Sequence, residues 1–350
     1  VSLFEDRLAA LPLEVEDYAL EGMEREVSTA FTRATTHIRL RGGGEEGVGE
    51  DVSYGAEDQA ALQAAGAVQP LAGRWTLGSF CDHVEALDLW PEPTQWAASV
   101  RYRLWAYESA ALDLALRQAA TSLHAVLGRD PRPVRFVVSL HLGDDAPMDP
   151  VARRLALYPG LRFKLDATSS WTPELIGALV ATGAVDSIDF KGLYEGTIVD
   201  QQADPALYRA VVEAFPEAWI EDPKLNDETD RILLPYRDRI TWDAPIHSVA
   251  DIEALPFPPR MVNIKPSRLG PLRDLFAAYA YCEQREIGMY GGGQFELGAG
   301  RGHIQYLASI FHPDTANDVA PGGYNDPDVP PGLPGSPLPV KAAATGFRWG

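Results

Sequence analysis

The chain has 350 residues, 46% of them hydrophobic, with a formal net charge of −20 and a pI near 4.7. This acidic balance excludes a nucleic-acid binder built on a basic face, and the two well-separated cysteines, Cys81 and Cys282, exclude a disulfide framework or a CxxC zinc site. The length exceeds one ordinary domain and suits a barrel of roughly 200–250 residues plus a smaller unit.

The apolar runs are too short to span a bilayer and the N-terminal stretch is acidic, so a soluble cytoplasmic protein is expected, with no membrane partner. Residues 1–30 are rich in Glu and Asp. Alternating Thr, Ile and Leu around His37 to Leu40 then predict a strand. Gly42 to Gly44 predict a hairpin turn, and VGEDVSY the returning strand. This glycine run lacks the lysine of a phosphate loop and opens no helix. Residues 56–66 read as helix, and so does the long pattern within 94–128, closed by Gly128 and Pro131. The RDPRP segment marks a boundary, giving an α+β unit over residues 1–132.

From VRFVVSL onward the pattern repeats. Short apolar runs end in an acid or a lysine: RFKLDA, SIDFKG, AWIEDP, ITWDAP, VNIKPS and GMYGGGQFELG. The leading charged residues are spaced by 23 (166 to 189), 32 (189 to 221), 22 (221 to 243) and 22 (243 to 265). A strand, a loop, a helix and a return loop take about 20–30 residues. Helical segments such as PELIGALVATG and PALYRAVVEAF follow most of the runs. The fold class expected is α/β, a (β/α) TIM-type barrel of about eight parallel strands with an N-terminal α+β domain. The strands are expected at 134–140, 161–166, 186–190, 218–221, 240–243, 261–265, 287–292 and 315–319, so the barrel covers 133–324. The Pro- and Gly-rich tail, 325–350, cannot be regular helix or inner strand and is expected to lie extended over the surface, returning to the first unit. Chemistry in such a barrel sits at the C-terminal strand ends. Here those ends carry carboxylates and lysines together, the composition of a metal site with a base beside it.

These residues resemble the enolase superfamily, in particular its muconate-lactonizing and o-succinylbenzoate-synthase branch. TRATTHIRLRGGGEEGVGEDVSY is similar to the hairpin of that family's capping domain, and WAYESAALDLALRQAATSLHAVLGR to the helix leading into its barrel. WIEDP, TWDAPI, IKPSRLG and GGGQFELGAGRGHIQYLAS are similar to its fourth to seventh strands, and PPGLPGSPLPV with GFRW to its closing tail. Two strands depart from the family pattern. The second strand of the family ends Lys-x-Lys, whereas here Lys164 is followed by Asp166. LDATSSW, which is similar to a third-strand motif, precedes DFKG, which is similar to a second-strand motif. The first metal ligand is therefore either Asp189, by strand position, or Asp166, by local motif.

Acids ending three neighbouring strands converge above a barrel and supply the hard oxygen ligands that Mg²⁺ (or Mn²⁺) takes. Asp189, Glu221 and Asp243 are the expected ligands. Asp222 should point to the opposite side of its strand and act structurally. Lys265 is the expected base, since a nearby cation lowers its pKa; an arrangement of this kind is described for enolase-type sites. Lys164 and Lys191 are the other catalytic candidates, set against an ion-pair cluster with Asp166 and Asp189. Gln294 is expected to contact substrate and Glu296 to partner Lys265. By the resemblance, the loops near Glu21–Met23 and Phe80–His83 cover the mouth.

The resemblance implies a Mg²⁺-dependent enzyme that removes the proton α to the carboxylate of a small-molecule substrate. The enediolate formed would then undergo β-elimination, as in a dehydratase of the o-succinylbenzoate-synthase type. A cycloisomerase or a racemase/epimerase is the alternative. A barrel that binds metal and ligand without turnover, and a Schiff-base aldolase, are the readings from other classes. Assembly into a homo-oligomer is left open.

Overall fold

The computed structural model describes residues 3–28, 31–143, 145, 147–194 and 201–350. The N-terminal part opens with helix α1 (Leu3–Arg7) and strands β1 (Pro12–Val15), β2 (Asp17–Ser28), β3 (Phe31–Gly42) and β4 (Glu45–Asp51). Helix α2 (Ala56–Ala65), strand β5 (Gly73–Thr76) and helices α3 (Leu77–Glu85), α4 (Ala97–Gln118) and α5 (Leu123–Leu127) follow. β2, β3 and β4 form an antiparallel meander, and β1 pairs with β5. The β3–β4 turn uses Gly43 and Gly44, both at positive φ (58° and 77°), as a two-residue hairpin of this hand requires. Within the acid-rich N-terminal stretch, Asp17–Ser28 proves to be strand β2. Its register, Leu20 opposite Ile38 and Tyr18 opposite Leu40, is set by its apolar positions against β3. The helical pattern over 94–128 is two helices rather than one. Ala120 takes φ 49° and Ser122 caps α5 by accepting from Ala125 N, so a hydroxyl cap wins over continuation.

α4 lies across β4. Arg103 on α4 donates to Asp51 on β4 at 2.7 Å, with neither side chain exposed. This domain is joined to the barrel by two buried charges. Arg33 of β3 donates to the carbonyls of Val52 and Ser53 in its own domain, and to those of Gln294 and Phe295 in the barrel. Glu50 of β4 accepts from the backbone N–H groups of Leu297, Gly298 and Gly300, at the start of a barrel helix. Negative charge there meets the positive end of the helix and its unpaired N–H groups.

The barrel strands are β6 (Val138–His141), β7 (Phe163–Asp166), β8 (Val185–Asp189), β9 (Trp219–Glu221), β10 (Ile240–Trp242), β11 (Met261–Ile264) and β12 (Gly288–Gly291). They form one parallel sheet in sequence order, and the helices α6 (Asp149–Leu157) to α13 (Ala299–Phe311) cover it. Helices α7 (Pro173–Thr182) and α8 (Pro205–Ala214) begin at Thr172-Pro173 and Asp204-Pro205, pairing a side-chain cap with Pro at the first helical position. Among the described residues the sheet has seven strands rather than eight. The segment expected as the eighth strand closes the ring through single bonds: Val137 N to Asn317 O and Asp318 N to Gly291 O, each 2.8 Å. The Asn317 side chain takes the remaining places, accepting from Gly291 N and donating to Arg135 O. Pro313 and Pro321 confine the extended stretch to a few residues. No described helix is long and apolar enough to cross a membrane.

The tail bridges antiparallel to the barrel entry at Leu338–Val134 and reaches back to α4, where Asp113 accepts from Phe347 N and Arg348 Nε. Phe347 is buried, stacked on His303 and edge-on to Trp105.

Among the buried acids away from the barrel mouth, Glu108 has the most displaced pKa. Glu108 on α4 accepts from Leu272 N, the first residue of α12 (Leu272–Gln284), and burial pushes its pKa up to about 8. Unfolding returns this carboxyl to its ordinary range, so the folded protein holds the proton more tightly. Its contribution is fully present below the unfolded pKa and is lost as pH rises to about 8. Replacing Glu108 with Gln should remove this loss. The Tm difference between Glu108→Gln and the parent should grow in favour of the variant from pH 5 to pH 8 and then level off. A difference independent of pH would show that Glu108 is charged in the fold.

Candidate functional site

Parallel register brings the charged residues together. Asp166 pairs with Asp189 and Asp189 with Glu221, so the ends of β7, β8 and β9 are level. Thr241 pairs with Glu221, and Asp243, two residues on, rises from the same face. Lys164, below Asp166, is 2% exposed, and the side chains of Asp189, Glu221 and Asp243 are not exposed at all.

The ammonium of Lys164 donates to Glu221 Oε1, lies 3.2 Å from Asp189 Oδ2 and reaches Asp318 of the closing segment at 4.0 Å. Lys191 lies 2.5 Å from Asp189 Oδ2 and 3.6 Å from Asp166 Oδ1. Lys164 and Lys191 thus share Asp189, in the cross-strand cluster that alternation allowed. Burial works against charge on Asp189, but Lys191 and Lys164 hold its pKa down at about 2.

The Asp243 carboxylate accepts three hydrogen bonds, two of them on Oδ2. Its Oδ2 accepts from Lys265 Nζ at 2.7 Å and from the Tyr194 hydroxyl at 2.8 Å, and its Oδ1 from Arg268 at 2.6 Å. Burial opposes its charge, yet Arg268 and Lys265 hold its pKa well below the carboxylate range. Burial lowers the Lys265 pKa, Arg268 adds to this, and Asp243 offsets it only in part. The Lys265 stem crosses bare backbone at Gly292: a Cβ there would lie 2.8 Å from Lys265 Cε.

Asp222 does not turn away from the other acids. It has φ 47°, which breaks strand alternation after Glu221, and its oxygens lie among those of its neighbours. Asp189, Glu221 and Asp222 each offer an oxygen within 4.8 Å of the others. Asp222 also accepts from the backbone N–H groups of Asp243 and Ala244, each at 2.8 Å, which fixes the end of β10. Burial, with Asp243 and Asp189 nearby, pushes its pKa up to about 7. Burial, helped by Asp189, Asp243 and Asp222, also drives Glu221 well above the usual range, and Lys164 offsets only part of this. A divalent cation fits this donor set, because hard carboxylate oxygens crowded in a dry site are what it takes and what it relieves.

Glu296 does not meet Lys265. Its Oε1 accepts from Gln294 N and its Oε2 lies 3.2 Å from Arg301, so it folds the loop after β12. Gln294 is 4% exposed, and its Nε2 has no hydrogen-bond partner among the described residues. Phe80–His83 belongs to α3, with Phe80 buried in the capping core, and is not a mouth loop. Met23 of β2 does reach the barrel, lining a cavity of about 440 Å³ with Phe295, Leu297 and Arg301.

Four neighbours of the site were not anticipated. Tyr290 donates to Glu221 Oε2 at 2.6 Å, and Arg268 and Tyr194 bond Asp243. Asn263 is buried below Lys265. Strand period could have found Asn263 and Tyr290, each two residues before a mouth position, and Arg268 follows Lys265 by one helical turn. No sequence signal marks Tyr194.

Lys164 is the cation that Glu221 and Asp189 share. Lys164→Met should therefore leave uncompensated buried charge and cost roughly 3–5 kcal/mol of stability in chelator-treated protein. Millimolar Mg²⁺ should restore part of that loss in a denaturant titration. An unchanged midpoint without metal would show that the ion pairs carry no net stability.

Two family models match this chain, described as the N-terminal and C-terminal domains of DUF8230, a domain of unknown function, over residues 6–126 and 130–326. The o-succinylbenzoate synthase of Enterococcus faecalis is 28% identical over 205 residues, 56% of this chain and 54% of that one, so the chain spans about half the length of this curated relative. A solved structure of an enolase-superfamily member from E. faecalis, 19% identical, matches with a TM-score of 0.63 over 88% of this chain and 86% of that one. A dipeptide epimerase from the same organism, 15% identical, matches with a TM-score of 0.67 over 96% and 99%. The chain belongs to the DUF8230 family, and its fold is the capped barrel of the enolase superfamily.

Proposed function

We propose that this protein is a Mg²⁺- or Mn²⁺-dependent enzyme that removes the α-proton of a small carboxylate substrate and then eliminates water from it. The observation that carries this reading is the buried acid cluster with Lys265 on one side and Lys164 and Lys191 on the other. Asp189, Glu221 and Asp243 are the proposed metal ligands. A cation held there would neutralise the charge that builds on the substrate carboxylate as its proton leaves. Lys265 is the base: burial and Arg268 both favour its neutral amine, which accepts the α-proton at Nζ. Having taken that proton, Lys265 delivers it to the β-hydroxyl on the same face. The Cα–H and Cβ–O bonds break, the C=C bond forms, and water departs. Gln294, with its unpaired Nε2 at the mouth, is the proposed substrate contact. Asp166 holds Lys191 over the cluster.

One observation favours a second reading. Lys191 pairs with Asp189 beyond the end of β8, three strands from β11, which Lys265 follows, and sits at φ 51°. Two lysines on opposed faces suit a racemase or epimerase, in which one removes the proton and the other returns it. The lysine absent from the second strand would then be replaced by one from the third. The resemblance to o-succinylbenzoate synthase supports elimination, and that to a dipeptide epimerase supports the two-base route.

Incubation with Mg²⁺ and a panel of 3-hydroxycarboxylates in D₂O tests both readings. Wild type should incorporate deuterium at Cα or form the unsaturated acid, and Lys265→Ala should lower this rate by about 10²–10⁴. A deuterated, stereochemically scrambled product without elimination selects the epimerase reading. Exchange that survives Lys265→Ala and vanishes in Lys191→Ala moves the base to the third strand. No exchange with any carboxylate leaves a binding barrel.

A further inference from the structure

Asp243 is required twice in the reading above. It must offer an oxygen to a cation, yet both lone-pair positions of Oδ2 are filled, by Lys265 and by Tyr194, and Oδ1 is held by Arg268. For Oδ2 to serve, the lysine has to leave. The place it can go is marked by an unsatisfied side chain. Asn263, on the same face of β11 two residues before Lys265, is 1% exposed, and neither its Oδ1 nor its Nδ2 has a hydrogen-bond partner among the described residues. A buried carboxamide left wholly unpaired is destabilising, so its presence calls for a partner that arrives in another state of the site.

Gly292 shows how close that partner is. An added Cβ there would lie 2.8 Å from Lys265 Cε, 3.0 Å from Asn263 Oδ1 and 3.1 Å from Asn263 Nδ2. The lysine stem and the carboxamide therefore both lie against the bare surface of one glycine. We propose that Asn263 is a positioning residue: its Oδ1 receives the Lys265 amine when Asp243 turns to a divalent cation, and Gly292 keeps the path between the two acceptors open. Lys265 then has two seats, one on Asp243 in the metal-free site and one on Asn263 in the loaded site. This inference rests on the proposed metal site and adds to it a coupling between metal binding and a residue that touches no metal.

The coupling is measured by Mg²⁺ affinity, independently of turnover. Isothermal titration of Mg²⁺ into wild type, Asn263→Ala, Lys265→Met and the double variant makes a thermodynamic cycle. With Lys265 present, Asn263→Ala should weaken Mg²⁺ binding on the order of tenfold, because the displaced lysine loses its hydrogen bond to the carboxamide. In the Lys265→Met background the same change should leave affinity unaltered. Asn263→Leu, which keeps the branched shape and removes both polar atoms, should repeat the pattern and guards against misfolding; thermal unfolding reports on the fold of each variant. Equal weakening in both backgrounds would overturn the proposal, since Asn263 would then act without Lys265, and so would unchanged affinity while Lys265 is present. Wild type that binds no Mg²⁺ would remove the metal site itself, and the two-seat lysine with it.

Discussion

The constraint on which this site depends is the crowding of carboxylates in a place from which water is excluded. Asp189, Glu221, Asp222 and Asp243 have no exposed surface, and Asp166 stands beside them. Like charges this close, in a medium of low polarity, oppose one another strongly. The chain answers with Lys164, Lys191, Lys265 and Arg268, each within an ion pair of at least one acid. The division is uneven. Asp243 and Asp189 are held firmly ionised, whereas Glu221 and Asp222 are pushed toward their neutral forms. Of the three proposed ligands, Glu221 therefore gains most from added positive charge.

The rest of the molecule serves to keep that cluster dry and in register. Parallel pairing sets the strand ends level, and the closing bonds of Asn317 hold the first and last strands together without an eighth full strand. The capping domain is not merely laid on top. Arg33 reaches the carbonyls just after β12, and Glu50 caps the start of α13, so the loop carrying Gln294 and Glu296 is fixed from above by two buried charges. Movement of the capping hairpin would be transmitted first to that loop.

Much of this was legible in the sequence, because barrel chemistry is periodic. The 22-residue spacing of Asp243 and Lys265 locates strand ends without any structure, and the parallel sheet follows from alternation of strand and helix. The illegible parts depend on single backbone angles and on contacts distant in sequence. Strand alternation by default turns Asp222 outward; its positive φ cancels that default and no residue type announces it. The partner of Glu296 proved to be Arg301, a turn along α13, rather than Lys265. The acid-rich strand β2 carries little strand propensity of its own and is held by its partner β3. Tyr194 reaches Asp243 from a loop of no recognisable pattern.

The reversed Lys-x-Asp and Asp-x-Lys ends of β7 and β8 turn out to be one ion-pair cluster, in which Asp166 and Asp189 both face Lys191. Whether the cluster holds a cation in the proposed manner is decided most directly by crystals soaked in Mn²⁺, with anomalous scattering used to locate the ion. The account predicts one peak at the mouth, bonded to oxygens of Asp189, Glu221 and Asp243, with Lys265 Nζ withdrawn from Asp243. An ion bonded instead to Asp189, Glu221 and Asp222, with the Lys265–Asp243 pair intact, would contradict it.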